Sequence, residues 1–212
     1  MKFEKTLIKF FPKSLRLPIK YQYHKIRNRL EKEIFYLEQL IGTCKRAMDI
    51  GANVGIYSYA LAQIYDTIEV FETKSWCTEN IPFYSQTSAC NISVHNVGLA
   101  NFNGSLTLHV PTSLGDYSQL VRGLGSFREI KGEQISIDIP VGKLDDYKFK
   151  DVSFMKIDVE GYETKVSEGP HNTIITEEPI IFMEVEQKHL NGKSIEDVFE
   201  HMLDLGYECS FI

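Results

Sequence analysis

Short stretches of the chain place carboxylates and glycines where chemistry needs them. "AMDIGANVGIYSYALAQ" (47–63) ends an apolar run in Asp49, then sets Gly51 and Gly55 around Ala-Asn-Val, before an amphipathic stretch. Glycines let a backbone turn sharply and approach a ligand closely. A helix start behind them offers unpaired N–H groups. "TIEVFE" (67–72) ends in Glu72, about twenty residues beyond Gly51, the distance at which a strand-end carboxylate meets ribose hydroxyls. "FMKIDVEGYE" (154–163) carries Asp158 and Glu160, and "PIIFMEVE" (179–186) carries Glu184 and Glu186. Residues two apart on a strand share a face, so either set can form paired carboxylates.

Paired acids suit a transfer reaction. Crowded carboxylates repel, which raises one pKa toward the value a general base needs. Asp158 or Glu160 is the candidate base for an acceptor hydroxyl. Two other readings stand beside this one. Glu160 could cap the next helix while Asp158 only contacts a cofactor, or the acids could hold a divalent cation through oxygen. His171 and His189 fall in the loops after these two runs and could also take a proton, although single histidines more often fill surfaces and cores. The glycine turn is not a nicotinamide site. The G-x-G-x-x-G template started at Gly51 asks for glycine where Asn53 and Ile56 stand.

Taken together, "MDIGANVGIYSYALA", "IEVFE", "NVGLANFNGSLTLHV", "FMKIDVEGYE" and "PIIFMEVE" resemble the FkbM family of S-adenosylmethionine-dependent methyltransferases, in the right order from Lys45 to Glu186. "KIDVEGYE" is the most specific element. The resemblance implies S-adenosyl-L-methionine as cofactor. It implies that Asp49, Gly51, Asn53, Gly55 and Ile56 cradle the methionine part, with Asp158 also in contact. Glu72 would take the ribose, and Val97 with Gly98 would flank adenine. It further implies O-methylation of a sugar hydroxyl on a glycan or sugar conjugate. Another small-molecule hydroxyl or amine, or nucleotide binding without chemistry, are the alternatives. The sequence departs from the pattern in two ways: Thr73 follows Glu72 where the family usually has proline, and the chain stops at Ile212 before a closing strand hairpin.

These residues need a scaffold to hold them. "RAMDI", "TIEVFE", "NISVHNVGLA", "VSFMKID" and "PIIFMEVE" read as strands alternating with helical segments, which indicates βαβ units, a parallel Rossmann-like class I methyltransferase sheet and helices on both faces. "GSLTLHVP" and "EQISIDIPV" alternate apolar with polar and predict an inserted antiparallel strand pair. The Gly- and Ser-rich stretch Thr112–Lys131 between them predicts a mobile lid over the site. "SIEDVFEHMLDLGY" is a helix with Ser194 as N-cap, and "YECSFI" starts a sixth strand.

Upstream, Pro12 and Pro18 interrupt the first segment, and apolar residues at Ile26, Leu30, Ile34, Leu37, Leu40 and Ile41 have the spacing of a lead-in helix that stops at Gly42. Residues 1–42 form a basic helical arm, and 43–212 form the methyltransferase domain. Residues 1–32 hold ten Lys/Arg and two Glu, while the other 180 hold thirteen Lys/Arg and twenty-seven acids. An acidic body argues against nucleic acid. The basic arm is a solvated face, or one that touches an anionic membrane surface or an acidic partner. No apolar stretch has the length of a membrane span, and the N-terminus lacks the pattern of a signal peptide. Cys44, Cys77, Cys90 and Cys209 stand apart with no CxxC pair, as buried free thiols do in a reducing cytoplasm.

Overall fold

The computed structural model describes residues 8, 10–39, 45–111, 133–159, 171–187, 190 and 194–210. Helix α1 spans Lys13–Ile26, with Pro12 extended at its N-cap position and Pro18 inside it. The core then opens with β1 (Arg46–Ile50), α2 (Ile56–Leu61), β2 (Thr67–Phe71), α3 (Ile81–Ser85) and β3 (Asn91–His95). Three further strands follow: β4 (Gly98–Leu99), β5 (Gly104–Pro111) and β6 (Gln134–Gly142). The chain returns through β7 (Val152–Ile157), α4 (His171–Glu177), β8 (Ile180–Met183) and α5 (Ile195–Asp204).

The central sheet has the order β3-β2-β1-β7-β8, and all its pairs are parallel. Its direction of growth reverses between β1 and β7. In open α/β sheets that reversal leaves a crevice outside the carboxyl ends of the two strands, and ligands bind there. Alternation sorts the side chains onto two faces. On one face Ala47, Ile68, Val70 and Phe154 pack with Leu17 of α1, Tyr57 and Leu61 of α2, and Ile81 of α3. On the other, Met48, Ile50, Phe71, Met155 and Ile157 pack with Leu144 and with Ile174 of α4. A second sheet, β4-β6-β5, carries the expected antiparallel pair, in register from Gly104 opposite Val141 to Pro111 opposite Gln134.

Several elements differ from the sequence reading. The lead-in helix lies earlier than the apolar spacing placed it. α1 ends at Ile26, Asn28 takes a left-handed φ of 52°, and the segment beyond forms 3-10 turns at Lys32–Phe35 and Leu37–Gln39. Leu30, Ile34 and Leu37 are buried all the same. A spacing of three to four residues serves a string of tight turns as well as a helix, so burial survives the change of backbone. Pro18 costs α1 one hydrogen bond, and the helix runs through it. Pro82 sits in the first turn of α3, where the missing N–H is not needed.

The expected third strand is two strands in two sheets. β3 stops at His95, and Gly98–Leu99 pairs instead with β6. Residues 207–210 form no strand. Ser194 caps α5 as read: its hydroxyl accepts from Asp197 N at 3.2 Å, and the Asp197 carboxylate accepts from Ser194 N at 2.6 Å. The expected lid at Thr112–Lys131, along with Cys44, lies outside the described residues. Cys77 and Cys90 are buried, but Cys209 is exposed, because no strand forms around it.

Candidate functional site

The strand ends carry their ladder one step beyond each strand, and this stacks the functional turns side by side. Gly51 N donates to the Phe71 carbonyl at 2.9 Å, and Glu72 N donates to the His95 carbonyl at 3.1 Å. Asp158 N donates to the Ile50 carbonyl at 2.9 Å, and Glu184 N donates to the Ile157 carbonyl at 3.0 Å. The glycine turn, Glu72, Asp158 and Glu184 are thus neighbours along one edge.

Gly51 and Gly55 both hold φ near 80°, and Asn53 holds 49°. Side chains other than Gly and Asn rarely adopt this region. Gly51 has a second constraint: a Cβ there would lie 1.7 Å from the carbonyl oxygen of Asp158. The glycine turn and the acidic turn touch backbone to backbone. A Cβ on Gly55 would meet Ile81 at 2.7 Å, so that glycine is also a packing requirement of α3. At Gly98 a Cβ would come within 3.1 Å of both Thr73 and Val141, which ties β4 and β6 to the end of β2.

Glu72 is not the exposed strand-end acid its position suggests. It is 5% exposed. Its Oε2 accepts from Asn53 N at 2.8 Å, and its Oε1 accepts from Lys74 N at 2.9 Å and from the Thr73 hydroxyl at 3.2 Å. The carboxylate locks the glycine turn to the end of β2. Thr73 uses its hydroxyl in this lock. Asn96 closes the same corner, donating to the Glu72 carbonyl and to the Thr78 hydroxyl, each at 3.3 Å.

Asp49 is fully buried. The Ser58 hydroxyl donates to its Oδ2 at 2.5 Å, and Oδ1 has no hydrogen-bond partner among the described residues. Burial pushes its pKa up, while Lys156 and Ser58 pull the other way. Lys156 is the residue that sequence reasoning missed. Its ammonium donates to Asp158 Oδ2 at 2.9 Å, lies 4.0 Å from Asp49 Oδ1, and sits 4.9 Å from the centre of the Tyr57 ring. Burial lowers the pKa of this lysine, but Asp49 and Asp158 more than offset that and hold it above the ordinary value. One signal was available in the sequence: a lysine inside the apolar run "VSFMKI" needs an acidic partner, and Asp158 is two residues away on the same face.

The other candidates divide. Glu184 stands beside Asp158, and partial burial together with the Asp158 charge raises its pKa. Glu160 and His189 lie outside the described residues. His171 is not in a loop: it is the first residue of α4, whose next two N–H groups are held by the Asp145 carboxylate at 3.0 and 2.9 Å. That helix packs on the sheet face opposite Lys156. His95 Nε2 pairs with the buried Glu69 at 2.8 Å, which also faces Arg46 at 3.3 Å, so this histidine is a structural partner. Val97 and Ile56 are partly buried against the two cores, one on each face. Among the described residues no three His, Cys, Asp or Glu side chains gather at metal-ligand spacing.

Comparison with known proteins gives two findings. Residues 49–209 match the model of the methyltransferase FkbM domain. The chain is similar in fold to the crystal structure of methyltransferase FkbM from Methylobacillus flagellatus KT, with a TM-score of 0.53 and 16% identity. The similarity covers 95% of this chain and 52% of that one, so the chain spans about half the length of the protein it matches. No curated protein matches the sequence.

Proposed function

For a chain that belongs to the FkbM methyltransferase family, we propose O-methylation of a hydroxyl on a sugar or sugar conjugate, with S-adenosyl-L-methionine as donor. The observation that carries this reading is the alignment of the glycine turn, Glu72 and Asp158 at the sheet's reversal point. The residues suit the cofactor: the left-handed turn from Gly51 to Gly55 can bring backbone close to a ligand, and Asp49 keeps a buried carboxylate oxygen that accepts no hydrogen bond among the described residues. Glu72 spends three hydrogen bonds on the fold and retains lone-pair capacity for a ribose hydroxyl. Val97 and Gly98 would stand at the adenine end.

When bound, the cofactor supplies an electrophilic methyl group. The chain's own residues do the remainder. Lys156 occupies Oδ2 of Asp158, which leaves Oδ1 to accept the acceptor's proton. The Asp158 side chain is 30% exposed, so an acceptor can reach it. Positioned proton transfer of this kind contributes about 10²–10⁴ in rate. Buried free Cys77 and Cys90 thiols, each with its pKa pushed up to about 11 by burial, favour a reducing cytoplasm. No helix among the described residues is long and apolar enough to cross a membrane. Contact with an anionic membrane surface through residues 1–32 is supported by their charge and by Phe10, which is exposed.

The test has two parts. Calorimetry should give micromolar binding of S-adenosylhomocysteine and none of NAD; preferential NAD binding overturns the reading. With labelled donor and a panel of sugar acceptors, Asp158→Asn should lose 10²–10⁴ in single-turnover rate while cofactor affinity changes little. Unchanged turnover moves the base to Glu160 or Glu184.

A further inference from the structure

The wall beside Asp158 is built to receive positive charge. Lys156 and Phe182 are cross-strand partners on β7 and β8, and the Tyr57 ring of α2 packs over this pair, 4.9 Å from the Lys156 ammonium and 6.3 Å from the Phe182 ring. The next residues on the same face, one step nearer the carboxyl ends, are Asp158 and Glu184. The segment after α1, which Ile34 anchors in the core, carries Glu31, which is exposed, and Glu33, which is partly buried. The charges of Glu31, Glu33 and Asp158 all act on the Tyr57 phenol, and those of Asp158, Glu184 and Glu33 all act on Glu31. Four carboxylates, Asp49, Asp158, Glu31 and Glu184, therefore act on one ammonium, which Asp49 and Asp158 already share.

The floor of this wall points to a ligand independently of the charges. Tyr57 is 4% exposed, and its hydroxyl has no hydrogen-bond partner among the described residues. A buried hydroxyl left unpaired is costly, and native proteins rarely leave one without reason. Here it is aimed among carboxylates without donating to any of them. A group that donates to the phenol oxygen and to Glu31 or Glu184 would give that oxygen a partner and offset the carboxylate charge at once. A protonated amine does this with its three N–H bonds, through charge-assisted hydrogen bonds that are about twice as strong as neutral ones. A phosphate or carboxylate in the same place would meet an excess of like charge, because the one ammonium is already shared by Asp49 and Asp158.

We propose that the Glu31–Tyr57–Glu184 wall is the acceptor subsite and that it takes an acceptor carrying a protonated amine, such as a 2-amino sugar unit, in preference to neutral or anionic sugars. This rests on reading the Asp158 cleft as the site of methyl transfer. The subsite is made partly by the N-terminal segment, through Glu31 and Glu33.

The test is a binding titration of the S-adenosylhomocysteine-loaded protein with glucosamine oligomers, their N-acetylated forms and galacturonate oligomers, at a pH that keeps the amine charged. The amine-bearing oligomer should bind at least tenfold more tightly than the N-acetylated one, and the uronate should not bind. Glu31→Gln with Glu184→Gln should erase that preference without moving S-adenosylhomocysteine affinity, and Tyr57→Phe should weaken amine binding alone. Equal binding of the three sugars, no binding of the amine form, or a preference that survives the double substitution overturns the proposal. Calorimetry of S-adenosylhomocysteine on the same samples separates the two readings. If the cofactor product does not bind, the methyl-transfer reading fails, and the sugar series run on the protein alone still decides the wall.

Discussion

Glu72 locks the glycine turn to the end of β2 and is the proposed ribose ligand, and its substitution separates the two. Hydrogen bonds to a charged group are worth about 1.5–3 kcal/mol, and this carboxylate accepts three from the fold. Glu72→Ala should therefore cost about 2–4 kcal/mol of stability in urea melts, in addition to weakening S-adenosylhomocysteine binding in calorimetry. Glu72→Gln should recover much of the stability and little of the affinity. A variant with full stability would mean that Asn53 and Lys74 find other acceptors. Lys156 makes a second case. Breaking a buried pair leaves an uncompensated charge and costs about 3–5 kcal/mol, so Lys156→Met should be strongly destabilised at neutral pH. The pH dependence has a definite sign. Lys156 pulls the Asp49 pKa down against burial, so without it that raised pKa climbs further. A carboxyl whose folded pKa lies above its unfolded value contributes stability at low pH and loses it as pH rises. The deficit of Lys156→Met should accordingly shrink as pH falls from 8 to 5. A constant deficit would mean that Lys156 acts by packing alone.

Among the elements, the turns after β1 and β7 meet without room for a side chain at Gly51. Gly51→Ala would put a Cβ 1.7 Å from the Asp158 carbonyl and also strain a φ of 80°. Gly206 offers a control: its φ is 89°, but nothing lies within 4 Å of a Cβ there. Gly206→Ala should cost only the backbone penalty, about 1–2 kcal/mol. Gly51→Ala should cost clearly more, because β1 and β7 must part, and thermal melts of the two variants measure the difference. Similar costs would mean that φ, not space, fixes Gly51. The alternation of strand and helix was legible because apolar runs ending in Asp49, Glu72 and Asp158 are hard to read otherwise. The split of β3 from β4 was not. His95 and Gly98 lie in one apolar-polar rhythm, and only the pairing of Gly98 with Val141 shows that the chain changes sheet. The helix position failed for a related reason: Leu30, Ile34 and Leu37 are buried as their spacing demands, but spacing does not distinguish a helix from 3-10 turns. Within the site, the acids could be read singly, whereas the Lys156 bridge and the orphaned Tyr57 hydroxyl exist only once the strands are paired.

For the whole molecule, we take 43–212 as the methyltransferase domain and the described residues of 1–42 as a layer of its core rather than a tether. Leu17, Leu30, Ile34 and Leu37 join one apolar cluster with Tyr57, Ile68 and Ile81. Removing residues 1–42 should therefore yield an insoluble or molten chain, visible as loss of a cooperative melt. A truncated protein that melts cooperatively and still binds S-adenosylhomocysteine would make the segment an appendage. The backbone contact between Gly51 and Asp158 also bears on how such a molecule can diverge. Because the two turns share one narrow gap, neither can lengthen or accept a side chain unless the other gives way. Position 51 would stay glycine even in a descendant that had abandoned its ligand, so that glycine by itself is poor testimony to retained activity. Anyone grafting a foreign cofactor turn onto this sheet would have to transplant the acidic turn with it, as a single cassette.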